Sequence, residues 1–384
     1  MTAVVAPVRL LFLTRSLNYG GSQRQLVELL TGLLSRNISV AVATFYVGGP
    51  FQAELERAGV PIYCLDKKTR WDVFRCVHRL LRLVRQVQPT VLHGYLGAAN
   101  ILAILVKAFC PRVKVVWGVR STNMELRRYG WLDQMLYWIE SRLSRFSDLI
   151  IVNSKSGLDY AMRNGFRREK MVVIPNGIDT KRFRPHDGVG QEFRLKHGVG
   201  ATEKLIGLVG RLDPMKGHET FLRAASFFEK ERPSVRFICV GDGPEPYREM
   251  LHRFAESLGI QKKTIWLDEY DTIEDLYNTL DVLTSSSSYG EGFPNVIGEA
   301  MACGIPCVVT DVGDSKYIVG ETGLVVPPND VEALVTAWRR LMHTEDSVKA
   351  VMGKAARERI IQHFRLERLV DDFLNVLKPL GQQN

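Results

Sequence analysis

Residues 285–313 read SSSSYGEGFPNVIGEAMACGIPCVVTDVG. The apolar run before them ends in hydroxyl side chains, a glycine-flanked acid follows at Glu291, and a helix is predicted to begin at Pro294 or Asn295. A helix start exposes backbone amides with partial positive charge, so it favours an anion, and a proline fits there because its missing amide needs no partner. The amides nearest such an anion belong to Phe293, Asn295 and Val296. The stretch therefore predicts a strand, a loop and a helix that hold an anionic ligand.

A second stretch, GLVGRLDPMKGHETFLRAA (207–225), carries two cations in a loop. A predicted strand ends at Gly210, and Arg211 and Lys216 follow before the next helix. Arginine offers a fork of donors and lysine a point charge, a combination that suits a diphosphate. Loop cations are common surface features, so this loop alone is a weak signal. Together with the glutamate loop it predicts a diphosphate site.

Strand-like and helix-like segments alternate through both halves of the chain. Apolar runs such as VRLLFLT (8–14) and DLIIVN (148–153) alternate with segments of helical periodicity, and the scheme starts again at LIGLVG (205–210). Such alternation without hairpin turns predicts α/β architecture with doubly wound parallel sheets.

Proline and glycine punctuate a polar stretch at 171–185, which we take as the join between two domains. We expect an N-terminal domain at 1–183, completed by a C-terminal helix at 365–384, and a second domain at 184–364. Ligands of open α/β sheets bind beyond the carboxyl ends of the strands. Two such sheets facing a cleft would bring the loop at 15–21 toward the second domain.

The composition is that of a globular protein, with 46% hydrophobic and 24% charged residues in 384. No apolar run approaches the roughly 20 residues of a membrane helix, and the apolar N-terminus reads as a first strand rather than a signal peptide. Six cysteines without a CxxC pair predict free thiols in a reducing compartment. We therefore expect a cytoplasmic protein with no disulfide and no metal site.

Charge is divided unevenly along the chain. Residues 1–183 have 27 Lys and Arg against 12 Asp and Glu, a net of +15, whereas the remainder has a net of −6. This asymmetry indicates a polyanionic partner or merely a solvated basic surface. No nucleic-acid module is recognisable, so we expect no nucleic acid partner.

Two basic segments of the first half are candidates for an anionic membrane surface. In 71–87 four arginines share one helical face, and in 124–146 basic residues accompany aromatic ones. Such helices can lie on an anionic leaflet, or they can be ordinary sheet-covering helices with a basic polar face. The four arginines are Arg75, Arg79, Arg82 and Arg85.

Five motifs, NYGGSQRQ, PNGID, GRLDPMKG, VGDGP and EGFPNVIGEAMACGIPCVVTDVG, occur in this order between residues 8 and 373. In this set the chain closely resembles the retaining glycosyltransferases of the GT-B fold, the family 4 (group 1) enzymes that include sucrose synthase and bacterial phosphatidylinositol mannosyltransferases. The resemblance implies two Rossmann-like domains, a nucleotide diphosphate sugar as co-substrate, and no cofactor or bound metal.

The resemblance also implies roles for individual residues. Glu299 would bind the ribose hydroxyls, Glu291 would face the donor sugar, and Arg211 and Lys216 would neutralise the diphosphate. The backbone of the helix start would hold sugar hydroxyls or phosphate, and it comprises Phe293, Pro294, Asn295 and Val296. Gly20 and Gly21 would let the first-domain backbone approach the donor phosphate.

The chain departs from the family pattern at two places. Many relatives carry a histidine after the fifth strand, where this chain has Arg120, and a polar residue near the fourth strand is here His93. Both are site candidates, although His93 could instead be a strand-end histidine bonded to backbone. Relatives usually have glycine at the position of Asp268, in a segment that frames the base.

These observations predict transfer of a hexosyl unit from a nucleotide diphosphate sugar, which we expect to be a UDP-sugar, to a hydroxyl of a glycan or lipid-linked acceptor. One alternative is a nucleotide-sugar 2-epimerase with the same two-domain architecture. Another is a non-catalytic subunit that binds the sugar nucleotide for an active partner.

Overall fold

The computed structural model describes residues 9–69, 72–120, 130–186, 188–268, 270 and 272–381. Val8, residue 71 and residues 124–129, which belong to three of the predicted segments, lie outside this part of the chain. The chain divides into two compact units, Met1–Gly177 with Leu366–Asn384, and Ile178–Arg365.

The first unit is built on a parallel sheet, which has seven strands in the described part of the chain, in the order β3-β2-β1-β4-β5-β6-β7. Its strands are β1 (Arg9–Thr14), β2 (Ser39–Thr44), β3 (Ile62–Cys64), β4 (Val91–Tyr95), β5 (Lys114–Val119), β6 (Leu149–Val152) and β7 (Met171–Val173). Apolar residues fill nearly every position of the central strands because helices cover both faces of the sheet.

The helices between these strands are α1 (Gly21–Leu34), α2 (Pro50–Arg57), α3 (Val73–Val87), α4 (Gly97–Phe109), α5 (Trp131–Leu143) and α6 (Lys155–Arg163). In α1 the leucines recur at helical spacing and are buried, including Leu26, Leu30 and Leu33. The residue that precedes α1 is Gly20.

The second unit repeats the plan with the strand order β10-β9-β8-β11-β12-β13. The strands are β8 (Lys204–Val209), β9 (Val235–Val240), β10 (Thr264–Leu267), β11 (Val282–Ser285), β12 (Cys307–Thr310) and β13 (Leu324–Val326). The helices are α7 (Val189–Lys196), α8 (His218–Glu231), α9 (Glu245–Ser257), α10 (Ile273–Tyr277), α11 (Asn295–Ala302), α12 (Ser315–Val319), α13 (Val331–His343) and α14 (Asp346–His363). Both sheets are parallel and Rossmann-like, so the predicted fold class is confirmed.

The last helix, α15 (Leu366–Gly381), belongs to the first unit. Its buried residues Val370 and Phe373 join the core that contains β1 and α1. The segment at 171–185, which we took as a join, has structure at both ends. Its first three residues form β7, whereas Ile178 and Phe183 lie in the core of the second unit.

All six cysteines are free thiols. In the part of the chain that the structure describes, none of the helices has both the length and the apolar character needed to cross a bilayer.

Candidate functional site

The second sheet has its topological switch point between β8 and β11, which are neighbours although they are not consecutive along the chain. Connections leave these two strands in opposite directions, which opens a crevice beyond their carboxyl ends where α/β proteins bind ligands. The loop after β8 carries Arg211 and Lys216, and the loop after β11 carries Glu291. Strand order therefore brings together two loops that are far apart in sequence.

Half-buried Lys216 and buried Glu291 form an ion pair at this crevice. The Lys216 ammonium donates to Oε1 of Glu291 over 2.5 Å, and the Ser287 hydroxyl donates to the same oxygen over 2.7 Å. Both charged side chains are mostly removed from solvent. A buried carboxylate needs such partners because burial of an unpaired charge is costly. The site thus holds a cation and an anion in contact at the switch point of the sheet.

Two glycines let the backbone pack tightly around this pair. Gly217 has φ of 67°, and a Cβ there would lie 2.0 Å from the carbonyl oxygen of Ser286. Gly313 has φ of 62°, and its Cβ would lie 2.3 Å from the carbonyl oxygen of Glu291. Both left-handed backbone and close approach therefore require glycine.

Arg211 lies apart from this ion pair. Its side chain is 66% exposed, and its guanidinium lies 3.6 Å from the carboxylate of Asp213. Asp213 itself caps the short 3₁₀ turn at Pro214–Lys216 by accepting from the Met215 amide. The structure therefore fixes Lys216 firmly and leaves Arg211 at the surface of the same loop.

Helix α11 begins at Asn295, directly after Pro294, as the sequence predicted. The ring of Phe293 is buried against Phe364, so only the backbone of Phe293 is suited to a ligand. Glu299 lies one turn inside α11, where its Oε2 accepts from the Tyr277 hydroxyl over 2.7 Å. Both residues of this bond are buried. The other residue at the helix start, Val296, is partly exposed.

The segment expected to frame the base is tied to the VGDGP turn through Arg248 of α9. This guanidinium pairs with Asp242 and lies 3.3 Å from a carboxylate oxygen of Asp268. Asp242 also accepts from the Gly243 amide within its own turn. The acid that stands in place of the family's glycine therefore has a structural partner.

In the first unit, the predicted phosphate loop leads from β1 into α1. Gly20 is the residue before the helix, with extended backbone and no side-chain cap, and Gly21 is the first helical residue. The start of this 14-residue helix directs backbone amides toward any anion placed before it.

His93 lies in β4 and is fully buried, stacked on Phe373 at 5.5 Å and packed near Phe12. Neither of its ring nitrogens has a hydrogen-bond partner in the described part of the chain. Burial, and secondarily the nearby Arg120 cation, lowers the pKa of His93 to about 3. The ring is therefore neutral near pH 7, and the alternative of a histidine bonded to backbone does not hold.

Arg120 follows β5 and is held by two neighbours. Its Nη1 donates to Oδ1 of Asn176 over 2.6 Å, and its guanidinium stacks 4.4 Å from the Tyr95 ring. Burial lowers its pKa, whereas the hydroxyl of Tyr95 and the carboxylate of Glu28 act in the opposite sense. His93 and Arg120 thus lie in one cluster of the first unit, joined through the Tyr95 ring.

Several residues of these clusters were not among the predicted site residues: Gln25, Tyr95, Asn176, Tyr277 and Ser287. Gln25 and Asn176 do lie in quoted motifs, NYGGSQRQ and PNGID, which was a usable signal. The Gln25 amide bonds both the N–H and the C=O of Gly177. Tyr277 gave no signal, because a tyrosine on an apolar helix face is usually a core residue.

Among the described side chains, no three of His, Cys, Asp or Glu come together as metal ligands.

Known proteins resemble this chain over most of its length. Residues 19–182 match the model of Glycosyltransferase Family 4, and residues 190–359 match that of Glycosyl transferases group 1. The Escherichia coli UDP-Gal:alpha-D-GlcNAc-diphosphoundecaprenol alpha-1,3-galactosyltransferase is 24% identical over 317 residues, which is 81% of each chain. The D-inositol 3-phosphate glycosyltransferase of Rhodococcus jostii is 31% identical over 246 residues, 61% of this chain and about half (53%) of that relative.

Among solved structures, Anabaena HepE in complex with UDP and glucose superimposes with a TM-score of 0.86 at 23% identity. The superposition covers 96% of this chain and 99% of HepE. This likeness supports the fold. The two family models together match most of the chain, which therefore belongs to the group 1 glycosyltransferases of family 4.

Proposed function

We propose that this glycosyltransferase moves a hexosyl unit from a UDP-sugar to a hydroxyl of a glycan or lipid-linked acceptor. Transfer retains the anomeric configuration and needs no metal. The observation that carries the proposal is the largely buried Lys216–Glu291 ion pair at the switch point of the second sheet. Charge of both signs, fixed where α/β proteins bind ligands, suits a donor with a diphosphate and a polyhydroxylated sugar.

Each part of the donor has a counterpart in the second unit. Lys216, helped by Arg211, neutralises the diphosphate together with the amides at the start of α11. Glu291 faces the sugar hydroxyls, and Glu299 accepts from the ribose hydroxyls. Fixed charge of this kind stabilises the negative charge that develops on the leaving diphosphate, which is the main catalytic contribution that we assign to the protein.

The chemical step exchanges one C–O bond for another. The bond between the anomeric carbon and the β-phosphate oxygen breaks, and a bond from the same face forms to the acceptor oxygen. The acceptor proton passes to the departing phosphate, so UDP leaves with it. Arg120 of the first unit serves the acceptor side, and the neutral, buried ring of His93 supports it through Tyr95, which contacts both.

Uridine as the base and a lipid-linked acceptor are supported by what relatives are named for. The Escherichia coli relative is named for UDP-Gal and for a diphosphoundecaprenol-linked acceptor. HepE was solved with UDP and with UDP-glucose. A mannosyltransferase of Mycolicibacterium smegmatis is named for GDP-mannose, so GDP is the competing base to test.

Calorimetry with UDP, GDP and ADP tests the donor assignment. We expect UDP to bind most tightly and Glu299→Gln to weaken it by about tenfold or more, because the hydroxyls lose a charged acceptor. UDP that lacks both ribose hydroxyls should bind the wild type and Glu299→Gln equally. Glutamine still accepts from Tyr277, so folding should be kept. Glu249→Gln, an exposed change in the same unit, is the control.

Equal loss of affinity for UDP and for its dideoxy form in Glu299→Gln would contradict the ribose assignment. Product analysis separates the other functions. A transferase releases UDP when acceptor is present, an epimerase returns an isomerised UDP-sugar without acceptor, and a non-catalytic subunit does neither.

A further inference from the structure

Helix α5 of the first unit turns an apolar stripe toward solvent. Trp131, Met135 and Trp138 follow one another at spacings of four and three residues, so they lie on one face of the helix. Trp131 is 73% exposed and Trp138 is 57% exposed. Tryptophan is costly to leave in water, and this stripe leaves two of them there.

The stripe continues into the 3₁₀ turn at Ser144–Phe146, where Phe146 is 49% exposed. Arginines accompany the rings. The guanidinium of Arg142 lies 5.2 Å from the Trp138 ring centroid, and that of Arg145 lies 4.8 Å from the Phe146 ring centroid. We call Trp131, Met135, Trp138 and Phe146 the aromatic face.

The aromatic face is not needed to hold α5 in the unit. The opposite side of α5 buries Glu140 and Ser141, and Tyr137 and Leu143 pack on the core under the sheet. Contiguous exposed apolar surface of this kind marks an interaction site in a water-soluble unit. The chemistry of the face should therefore identify its partner.

We propose that the aromatic face inserts into the surface of an anionic lipid bilayer. Tryptophan and phenylalanine with adjacent arginines are the residues that settle at the boundary between headgroups and acyl chains. Charge complementarity favours lipid over a second copy of this chain. Residues 1–183 have a net charge of +15, so two such surfaces would repel each other, whereas acidic headgroups would attract them.

The arginines of α3 fit this role less well than the sequence suggested. Arg79 is engaged with the carbonyl oxygens of Leu65 and Asp66 and with the Asp66 carboxylate. Arg82 contacts His78. Helix α3 therefore adds basic charge and one exposed ring, that of Phe74, whereas α5 supplies the continuous row of rings that inserts.

Co-sedimentation with vesicles tests the proposal on the full chain. Wild type should bind vesicles of equal phosphatidylglycerol and phosphatidylcholine much better than pure phosphatidylcholine. Trp131→Ala with Trp138→Ala should lower binding at least about tenfold, because each ring loses its place in the bilayer. Arg142→Gln with Arg145→Gln should lower binding to the anionic vesicles by about fivefold per lost charge. Lipids with brominated acyl chains should quench tryptophan fluorescence of the wild type and much less that of the Trp variant.

Phe227→Ala is the matched control, since Phe227 is 56% exposed on α8 of the other unit, and it should bind vesicles like the wild type. Both tryptophans are exposed, so the Trp variant should keep its fold, checked by circular dichroism, and its affinity for UDP. The proposal is overturned if this folded variant binds anionic vesicles as tightly as the wild type. It is also overturned if ultracentrifugation finds a wild-type dimer that the Trp variant abolishes.

Discussion

At the scale of single residues, the contact between Lys216 and Glu291 joins loops that lie 75 positions apart. Glu291 is buried, and Lys216 and Ser287 are two of the groups that compensate its negative charge. Lys216 therefore has two tasks, to compensate Glu291 in the fold and to meet the donor phosphate in our proposal. Arg211 is exposed, so in our proposal it has only the second task, the contact with the donor phosphate.

This difference predicts that substitutions of Lys216 and of Arg211 have different effects on stability. Lys216→Met should lower the free energy of unfolding by about 3 kcal/mol, since it leaves a buried carboxylate without its cation. It should also raise the barrier to transfer by about 2–3 kcal/mol. Arg211→Ala should slow transfer without changing stability. Urea unfolding and donor turnover measure the two effects.

The double variant Lys216→Met with Glu291→Gln provides the check. It should regain much of the lost stability, because the buried charge is gone, but none of the turnover. If Lys216→Met were as stable as the wild type, the ion pair would not contribute to the fold. If the double variant recovered turnover, the phosphate role of Lys216 would be wrong.

The sequence placed Lys216 and Glu291 correctly at strand ends because both follow apolar runs that end in polar loops. Their contact follows from strand order, which is general to Rossmann-like sheets. The partners Ser287 and Tyr277 could not be predicted from the sequence, because the position of each depends on the path of a particular loop or short helix. A serine among four serines, or a tyrosine among core residues, has no pattern that singles it out.

At the scale of elements, α4 and α5 are joined by a buried polar contact. The Asn100 amide of α4 donates to Oε1 of Glu140 over 2.7 Å and also to the Gly118 carbonyl. Burial raises the pKa of Glu140 to about 7, from an ordinary value of 4.5, although the bond from Asn100 acts in the opposite sense. The folded protein therefore holds this proton over a range where the unfolded chain has lost it.

The raised pKa predicts a pH dependence of stability. The stabilising contribution of Glu140 to the free energy of unfolding is complete below pH 4.5 and is lost as the pH rises through about 7. Over this range the free energy of unfolding falls by at most about 1.4 kcal/mol per pH unit. Glu140→Gln keeps an acceptor for Asn100 but cannot ionise. Urea unfolding at pH 5 and pH 7.5 should therefore show that the variant gains relative to the wild type at the higher pH. The lowered pKa values of His93 and His218 affect the wild type and the Glu140→Gln variant equally. Parallel pH profiles would contradict the assignment.

Elements with a clear apolar pattern were predictable, and several very short ones were not. The apolar runs at 8–14, 148–153 and 205–210 lie within about one residue of β1, β6 and β8. Strand β7 has three residues and helices α10 and α12 have five, too few to show a period. These short elements are fixed by the sheet and core that receive them.

At the scale of the whole molecule, the chain completes its first unit only with its last helix. Phe373 of α15 is buried between Phe12 of β1 and His93 of β4, at ring distances of 5.9 and 5.5 Å. A core residue supplied from the far end of the chain cannot be inferred from local periodicity. The C-terminal helix that we expect to complete the first domain does lie in the first unit, but the amphipathic pattern of 365–380 does not show which strands it covers.

Phe373→Ala should therefore destabilise the first unit by about 3–5 kcal/mol, because it leaves a large cavity in a close-packed core. The second unit has its own core, so its stability and its UDP affinity should persist. Phe228→Ala, an equally buried change in the second unit, should destabilise the second unit and leave the stability of the first unit unchanged. Hydrogen exchange read separately over β1–β7 and β8–β13 distinguishes the two variants, and calorimetry reports UDP binding. If each variant lowered protection equally in both sheets, the two units would unfold as one, and α15 would stabilise the whole molecule rather than the unit that contains it.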